Sequence, residues 1–538
     1  MSARTTGRAR AARGGRPHRV RKDEGMTLPN SRPTALSPQL LDGLARWFDG
    51  AAPVAPSLSW ALFDRSGVLV QHGIGEHRRD GAAPNSGTVH RIASMSKSFE
   101  AAAVLILRDR GLLDLDDRLG AHVPEFADPV DASGRTMPVT IRMLLSNCSG
   151  LPEDNGWADH VMAMPRGEFL ELIGRGLRFT EGPGEVYQYS NIGFWLLGVV
   201  VENVTGEDFV AFATRTILEP LGLGQTRYDS SYPDGTDLAQ GFSSFDDGAT
   251  WTVRPVTGTG VGACAASMFS TVGDIARWSA WLSSAFDGDD GPAEDDAVLS
   301  RASRREMQRG LTPVPALSPR ASDGTLDGSA YGFGLVIEHD IRFGSIAHHS
   351  GGLPGWSSNM RWHLESGLGA VIFATANGAK LAAAATGLLR AALEETAPPA
   401  RTITLHPSTL AAAAAVEAAI IDSGDISRAQ APGSGVLFSP NLLSDVPAEV
   451  RARRLAAAIA EIGGLADNPT ARPLRERLLW SASAAQLAFS LPGCDGELEC
   501  RLETTPTIPA LLQRLEIVVR ASQAAQAPVV RSYRPRLD

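Results

Sequence analysis

Apolar residues at Leu40, Leu41, Leu44 and Trp47 or Phe48 fall on one helical face, which predicts an amphipathic helix over residues 38–49. From Ser57 to Val70 the residues are those of strands, broken at Asp64-Arg65-Ser66-Gly67, so two strands and a turn are predicted. Ala101–Leu107 is apolar on every side, the mark of a buried helix, and that helix is expected to end near Gly111. Loops and helices fill the middle of the chain. Strands return at 332–338, 346–350, 359–364 and 370–376, and a helix over 379–396 closes the unit. Strands at both ends of a helical middle predict one sheet drawn from distant segments, with a helical lobe inserted between them.

Ala397-Pro398-Pro399-Ala400 reads as part of a linker over 397–407. Beyond it the pattern predicts a helix over 408–421 and a second over 446–462, entered near Pro447 and stopped by Gly463-Gly464. Strand alternation follows over 478–491, 497–504 and 511–519. Residues 408–528 are thus expected to form a small α+β domain, with a tail over 529–538. At the other end, residues 1–35 carry a basic cluster between positions 4 and 22 and are expected to be a disordered tail, with Met1 and Met26 both open as starts. A folded domain over 36–396 lies between. A length of 538 residues suits two such units.

A net charge of −10 and the lack of a basic stripe outside the tail argue against nucleic-acid binding. No stretch reads as a membrane span and no apolar segment follows the basic tail, so the expectation is a cytoplasmic protein. The four cysteines, Cys148, Cys264, Cys494 and Cys500, have no metal spacing and are read as free thiols, although Cys494 and Cys500 flank a short turn and could approach each other. His-Glu-x-x-His and His-x-His-x-Asp are absent, so neither a metal nor another cofactor is implied.

Of fifty Lys+Arg side chains only Lys22, Lys97 and Lys380 are lysine. Arginine supplies the cations elsewhere, and arginine cannot shed its proton at working pH, whereas a desolvated lysine can. Lys97 stands three residues after Ser94, so the two share one helical face. Lowering a lysine to roughly 7–8 needs about 4 kcal/mol, which burial and the positive end of the helix both favour. Ser94 then reads as a nucleophile with Lys97 as its base, and the Ser94 N–H as one oxyanion donor.

Ser-x-x-Lys alone recurs by chance, and two further motifs decide the matter. Tyr189-Ser190-Asn191 offers a phenol, whose proton the ammonium should loosen, to relay the serine proton or protonate the leaving group. Asn191 would hydrogen-bond the lysine and a substrate carbonyl. His349-Ser350-Gly351-Gly352 lies at the end of a predicted strand, where small residues admit an acyl group and the Gly352 N–H completes the oxyanion pair. His349 would orient the tyrosine or meet a substrate carboxylate.

Ser-x-x-Lys, Tyr-x-Asn and His-Ser-Gly in this order resemble the serine β-lactamase and penicillin-binding protein superfamily, on the branch of class C β-lactamases, DD-carboxypeptidases, D-aminopeptidases and esterases. The stretches 140–152, 187–197 and 268–278 look like that family too, and the resemblance covers roughly residues 38–395. It implies a β-lactamase-like α/β (α+β) fold, an antiparallel sheet flanked by helices with an inserted helical lobe. It also implies an acyl-enzyme on Ser94, with Lys97 and Tyr189 sharing the acid and base work. His349 stands where most β-lactamases carry lysine, which shifts the expectation from β-lactam turnover towards an ester or amide of a small metabolite. A β-lactamase or DD-peptidase acting on lactams or D-amino-acid peptides is the alternative within enzymes, and an inactive acyl-binding scaffold the alternative outside them. The C-terminal domain faintly resembles a cystatin-like module. Its polar residues, His406, Asp445, Glu449, Glu461 and Asp467, form no constellation, so it reads as a packing or homodimer surface.

Overall fold

A computed structural model describes residues 36–78, 81–232, 235–287, 294–315, 326–340, 342–396, 403–430, 436–521 and 535–536. The expected basic tail, most of the expected C-terminal tail and positions 397–402 of the expected linker lie outside them. The chain divides into two compact units at Arg401/Thr402.

In the larger unit the first helix, α1 (Pro38–Ala51), is capped by the Ser37 side chain and leads into β1 (Ser57–Asp64) and β2 (Gly67–Gly75). Helix α2 (Ser96–Asp109), α3 (Asn191–Thr205) and α4 (Val272–Ser283) belong to the inserted lobe. The chain returns to the sheet through β3 (Thr312–Pro313), β4 (Leu326–Tyr331), β5 (Val336–Asp340), β6 (Gly344–Leu353), β7 (Trp356–His363) and β8 (Gly369–Ala374), and α5 (Leu381–Thr396) closes the unit. The order across the sheet is β2-β1-β8-β7-β6-β5-β4-β3, antiparallel throughout. The first strands therefore pair with the last, Trp60 opposite Ile372, as the sequence pattern implied.

Strand β1 is buried over Ser57–Phe63, with apolar residues on both of its faces and two small serines among them. Leu58, Trp60 and Leu62 pack with Phe48 of α1 and Leu388 of α5 on one face. Ala61 and Phe63 pack into the lobe core with Phe99, Trp278 and Leu105 on the other. A strand buried on both faces has no polar side to display.

Several element ends differ from the sequence reading by a few residues, the expected linker over 397–407 contains a strand at Ile403–Thr404, and two differences change an element. Residues 332–335, expected in a strand, form the turn between β4 and β5, because Gly334 takes φ +65° and its Cα sits against the backbone of α2, where a Cβ would stand 2.5 Å from the Lys97 carbonyl. The 478–491 stretch is a hairpin rather than one strand.

In the smaller unit, Ile403–Thr404 pairs with Pro535–Arg536 and α6 (Pro407–Ser423) follows. Then come β9 (Leu437–Phe438), α7 (Ala448–Glu461), β10 (Leu478–Ser483), β11 (Gln486–Pro492), β12 (Gly496–Thr504) and β13 (Leu511–Ala521). The sheet order is β9-β13-β12-β11-β10, with β9 and β13 parallel and the rest antiparallel. Val416, Ile420 and Leu455 of the helices bury against Leu487, Phe489, Leu498 and Cys500. Cys494 and Cys500 are both free thiols. Among the described residues of the whole chain, no helix is long and apolar enough to cross a membrane, and no His, Cys, Asp or Glu group is arranged to hold a metal ion.

Candidate active site

Ser94 does not open the long helix. It sits in a single 3₁₀ turn, Ala93–Met95, immediately before α2. Ala93 has φ +51°, a left-handed conformation unfavourable to a residue with a Cβ, and the surrounding bonds hold it there. The Ile92 N–H donates to the Met268 carbonyl at 2.9 Å, the Ser358 hydroxyl donates to the Ile92 carbonyl at 2.6 Å, and the Ser96 hydroxyl donates to the Ala93 carbonyl at 2.7 Å. The nucleophile candidate is thus presented by a pinned and strained backbone. Alanine gives no sign of this in the sequence.

Lys97 is fully buried, and its Nζ lies 3.2 Å from Ser94 Oγ, 2.7 Å from Asn191 Oδ1 and 3.3 Å from the Ala265 carbonyl. Burial pulls its pKa down to about 8, against the raising influence of Glu100 and Asp154. The amine also lies 5.0 Å from the centre of the Tyr189 ring and 5.4 Å from that of Phe194. The Tyr189 phenol faces the Ser94 side chain. Ser94, Lys97, Tyr189 and Asn191 therefore meet around one point. One expectation is reversed. Burial outweighs every other influence on Tyr189 and pushes its pKa up, so the nearby amine does not loosen the phenolic proton.

The His349 motif lies on β6, beside this cluster. A Cβ on Gly351 would stand 2.1 Å from the Ile92 carbonyl oxygen and 3.1 Å from Ala93 Cβ, so only glycine lets the strand lie against the serine turn. Gly352 has open space where a Cβ would be. Ser350 is exposed and its Oγ accepts from Asn359 Nδ2 at 2.8 Å. His349 is buried, and its ring lies 6.2 Å from that of Tyr189. Its Nδ1 is 2.6 Å from the Ser350 carbonyl, which can only accept, so Nδ1 carries the hydrogen. Nε2, 3.0 Å from the Tyr331 hydroxyl, then accepts from it. Burial lowers the His349 pKa to about 3, and the imidazole is neutral. The His349 ring packs beside Tyr189 without a hydrogen bond to it. Its partner is Tyr331, whose ring stands edge-on to Tyr189 at 6.3 Å.

Residues 44–394 match the family described as Beta-lactamase, more than half of the chain. The chain belongs to the beta-lactamase family. Within it, the chain is 30% identical over 317 residues to penicillin-binding protein 4* of Bacillus subtilis (strain 168), covering 54% of this chain and 62% of the relative. The chain thus spans less than two thirds of that relative's length. Two solved structures share the fold. The octameric penicillin-binding protein homologue from Pyrococcus abyssi is 17% identical with a TM-score of 0.52, covering 89% of this chain and 98% of its own. The hydrolase EstCE1 is 18% identical with a TM-score of 0.52, covering 66% and 98%. The family match ends before the smaller unit, and the cystatin-like resemblance gains nothing from it.

Asp154 and Asn147 are among the positions of this beta-lactamase-family chain that escaped the sequence reading. Asp154 caps the N-terminus of α3, taking the N–H of Asn191 and of Ile192 at 2.8 Å each. The same carboxylate accepts from Asn191 Nδ2 at 2.9 Å, and Asn155 Oδ1 accepts from that nitrogen at 2.8 Å. With both amide hydrogens engaged, Asn191 can only present its oxygen to Lys97. Asn147, at φ +53°, accepts from the N–H of Gln188 and Ser190 and so fixes the Tyr189 loop. Each signal lies about 40 residues from the motif it serves, beyond the reach of local spacing.

Proposed function

We propose that this chain is a serine hydrolase that forms an acyl-enzyme on Ser94 and acts on an ester or amide of a small metabolite. The observation that carries the reading is the set of partners around Lys97. A neutral amine has two hydrogens and one lone pair. Asn191 Oδ1 and the Ala265 carbonyl can accept only, so they take the hydrogens and leave the lone pair for the Ser94 hydroxyl. In the proposed step the Ser94 O–H bond breaks as Oγ bonds the acyl carbon, and the proton passes to Lys97. The backbone N–H groups of Ser94 and Gly352 receive the oxyanion. Tyr189, whose proton burial holds in place, protonates the leaving group and then recovers a proton from Lys97. Water resolves the acyl-enzyme by the reverse route.

His349 supports the ester or amide preference. A neutral imidazole that accepts from Tyr331 brings no charge to a substrate carboxylate, which weakens recognition of β-lactams and of peptides ending in a free carboxylate. The β-lactamase or DD-peptidase reading is favoured by one observation, the 30% identity to penicillin-binding protein 4*.

A fluorophosphonate probe tests the proposal. It should add its mass to the intact protein, and Ser94→Ala should abolish the adduct. Adduct formation unaffected by Ser94→Ala would overturn the reading. Nitrocefin turnover matching that of small esters would move the assignment to the second reading.

A further inference from the structure

Helix α2 carries a second ionisable group in line with the serine and the lysine. Lys97 and Glu100, three residues apart, stack along one face of α2, and Ser94 precedes them by the same spacing in the 3₁₀ turn. Glu100 is wholly buried. Neither of its carboxyl oxygens reaches a full hydrogen bond, and the groups facing it are the Cys264 thiol, the Gly198 backbone and Lys97. Gly198 makes the room, since a Cβ there would lie 2.8 Å from Cys264 Sγ and 3.8 Å from Glu100 Oε1. The phenols of Tyr228 and Tyr331 also sense this carboxyl, and Lys97 is in turn influenced by Asp154, Cys264 and Asp159 and acts on His349. A carboxyl so deep and so poorly hydrogen-bonded costs stability unless a charge compensates it. Burial pushes its pKa well above the ordinary carboxylate range, and Lys97, the cation acting on it among the described residues, draws it back down, so the charge of each group depends on that of the other.

We infer that Glu100 is a positioning residue for the base, and that its carboxyl, one helical turn below Lys97, governs how readily the amine takes the serine proton. This rests on the serine hydrolase reading. Moving that proton onto Lys97 puts a full positive charge in the interior, and an opposite charge nearby lowers the cost. The same charge keeps Lys97 protonated to higher pH than burial alone would allow. Without it the amine becomes neutral at lower pH.

The lysine content of the chain makes this directly measurable. With only Lys22, Lys97 and Lys380 present, labelling lysine with carbon-13 at Cε yields three resonances, and Lys97→Met assigns the buried one. The Lys97 midpoint is expected to fall by at least about half a pH unit in Glu100→Gln. Glu100→Met, which fills the space without a polar group, should move it the same way. Glu100→Asp, which keeps the charge, should return it towards the wild-type value. The rising limb of fluorophosphonate labelling against pH should follow each midpoint. If labelling of Ser94 persists while both the Gln and Met variants stay within about 0.2 pH unit of wild type, the inference falls and the hydrolase reading stands. If the midpoints move but Ser94 is never labelled, the hydrolase reading falls, and with it the role given to Glu100.

Discussion

Asp154 binds Asn191 through both its backbone N–H and its side-chain Nδ2, at 2.8 and 2.9 Å, and thereby turns Asn191 Oδ1 towards Lys97 at 2.7 Å. One carboxylate caps a helix and fixes the orientation of an amide in the site. Replacing Asp154 by Ala should cost about 1 kcal/mol through the lost cap. It should also slow Ser94 labelling by about tenfold or more, because Asn191 is then free to flip and turn a donor towards the amine. Asp154→Asn should recover part of the stability and little of the labelling rate. Denaturant unfolding alongside labelling kinetics separates the two effects.

Gly351 and Gly352 are adjacent on β6 and face opposite constraints. Gly351→Ala drives a methyl onto the Ile92 carbonyl of the strained serine turn, and overpacking of this kind costs about 1–3 kcal/mol. Its labelling rate should fall with it, because the turn that presents Ser94 has to move. Gly352→Ala meets open space and should leave stability within about 0.5 kcal/mol of wild type. Equal destabilisation by the two alanines would contradict this account of the strand.

His349 should contribute no inflection between about pH 5 and 7, where a histidine ordinarily titrates, because its pKa lies near 3. His349→Leu leaves the Tyr331 hydroxyl without its acceptor and should cost about 1–3 kcal/mol in stability. The pH profile of labelling, compared between wild type and a folded His349→Asn protein, checks the first point. An inflection near pH 6 that vanishes in the variant would show that His349 is charged in the folded protein.

Much of the fold was legible because it is written in local patterns. The 57–64 run, the late strands and the closing helix each carry their own period, and the pairing of first and last strands follows from putting all of them in one sheet. Ser94 and Lys97 were legible for the same reason, being one helical turn apart. What escaped depends on contacts across the fold. Asp154 reaches Asn191 from a distant loop, Tyr331 reaches His349 from β4, two strands across the sheet, and the turn at the left-handed Ala93 is pinned through Ile92 by Ser358 and Met268. Glu100 passed unnoticed because a glutamate in a helix is usually a solvated position, and only packing against Gly198 and Cys264 makes it an interior one. The Tyr189 expectation failed on magnitude, since proximity to an amine was weighed without the burial that dominates it.

The proposed base gives the last prediction. The Lys97 pKa is held near 8 by burial, and only the neutral amine can accept the serine proton. Labelling should therefore level off above about pH 8 and fall tenfold for each unit below it. Lys97→Ala should lose about 10²–10⁴ in rate, the usual range for removing a general base. Lys97→Arg should do no better, because a guanidinium keeps its proton at any pH the protein survives. Tyr189→Phe should slow deacylation and ester turnover yet leave the inflection in place, since the phenol stays protonated throughout this range. An inflection that survives in Lys97→Ala, or that moves in Tyr189→Phe, would assign the titrating group elsewhere and remove Lys97 from the role of base.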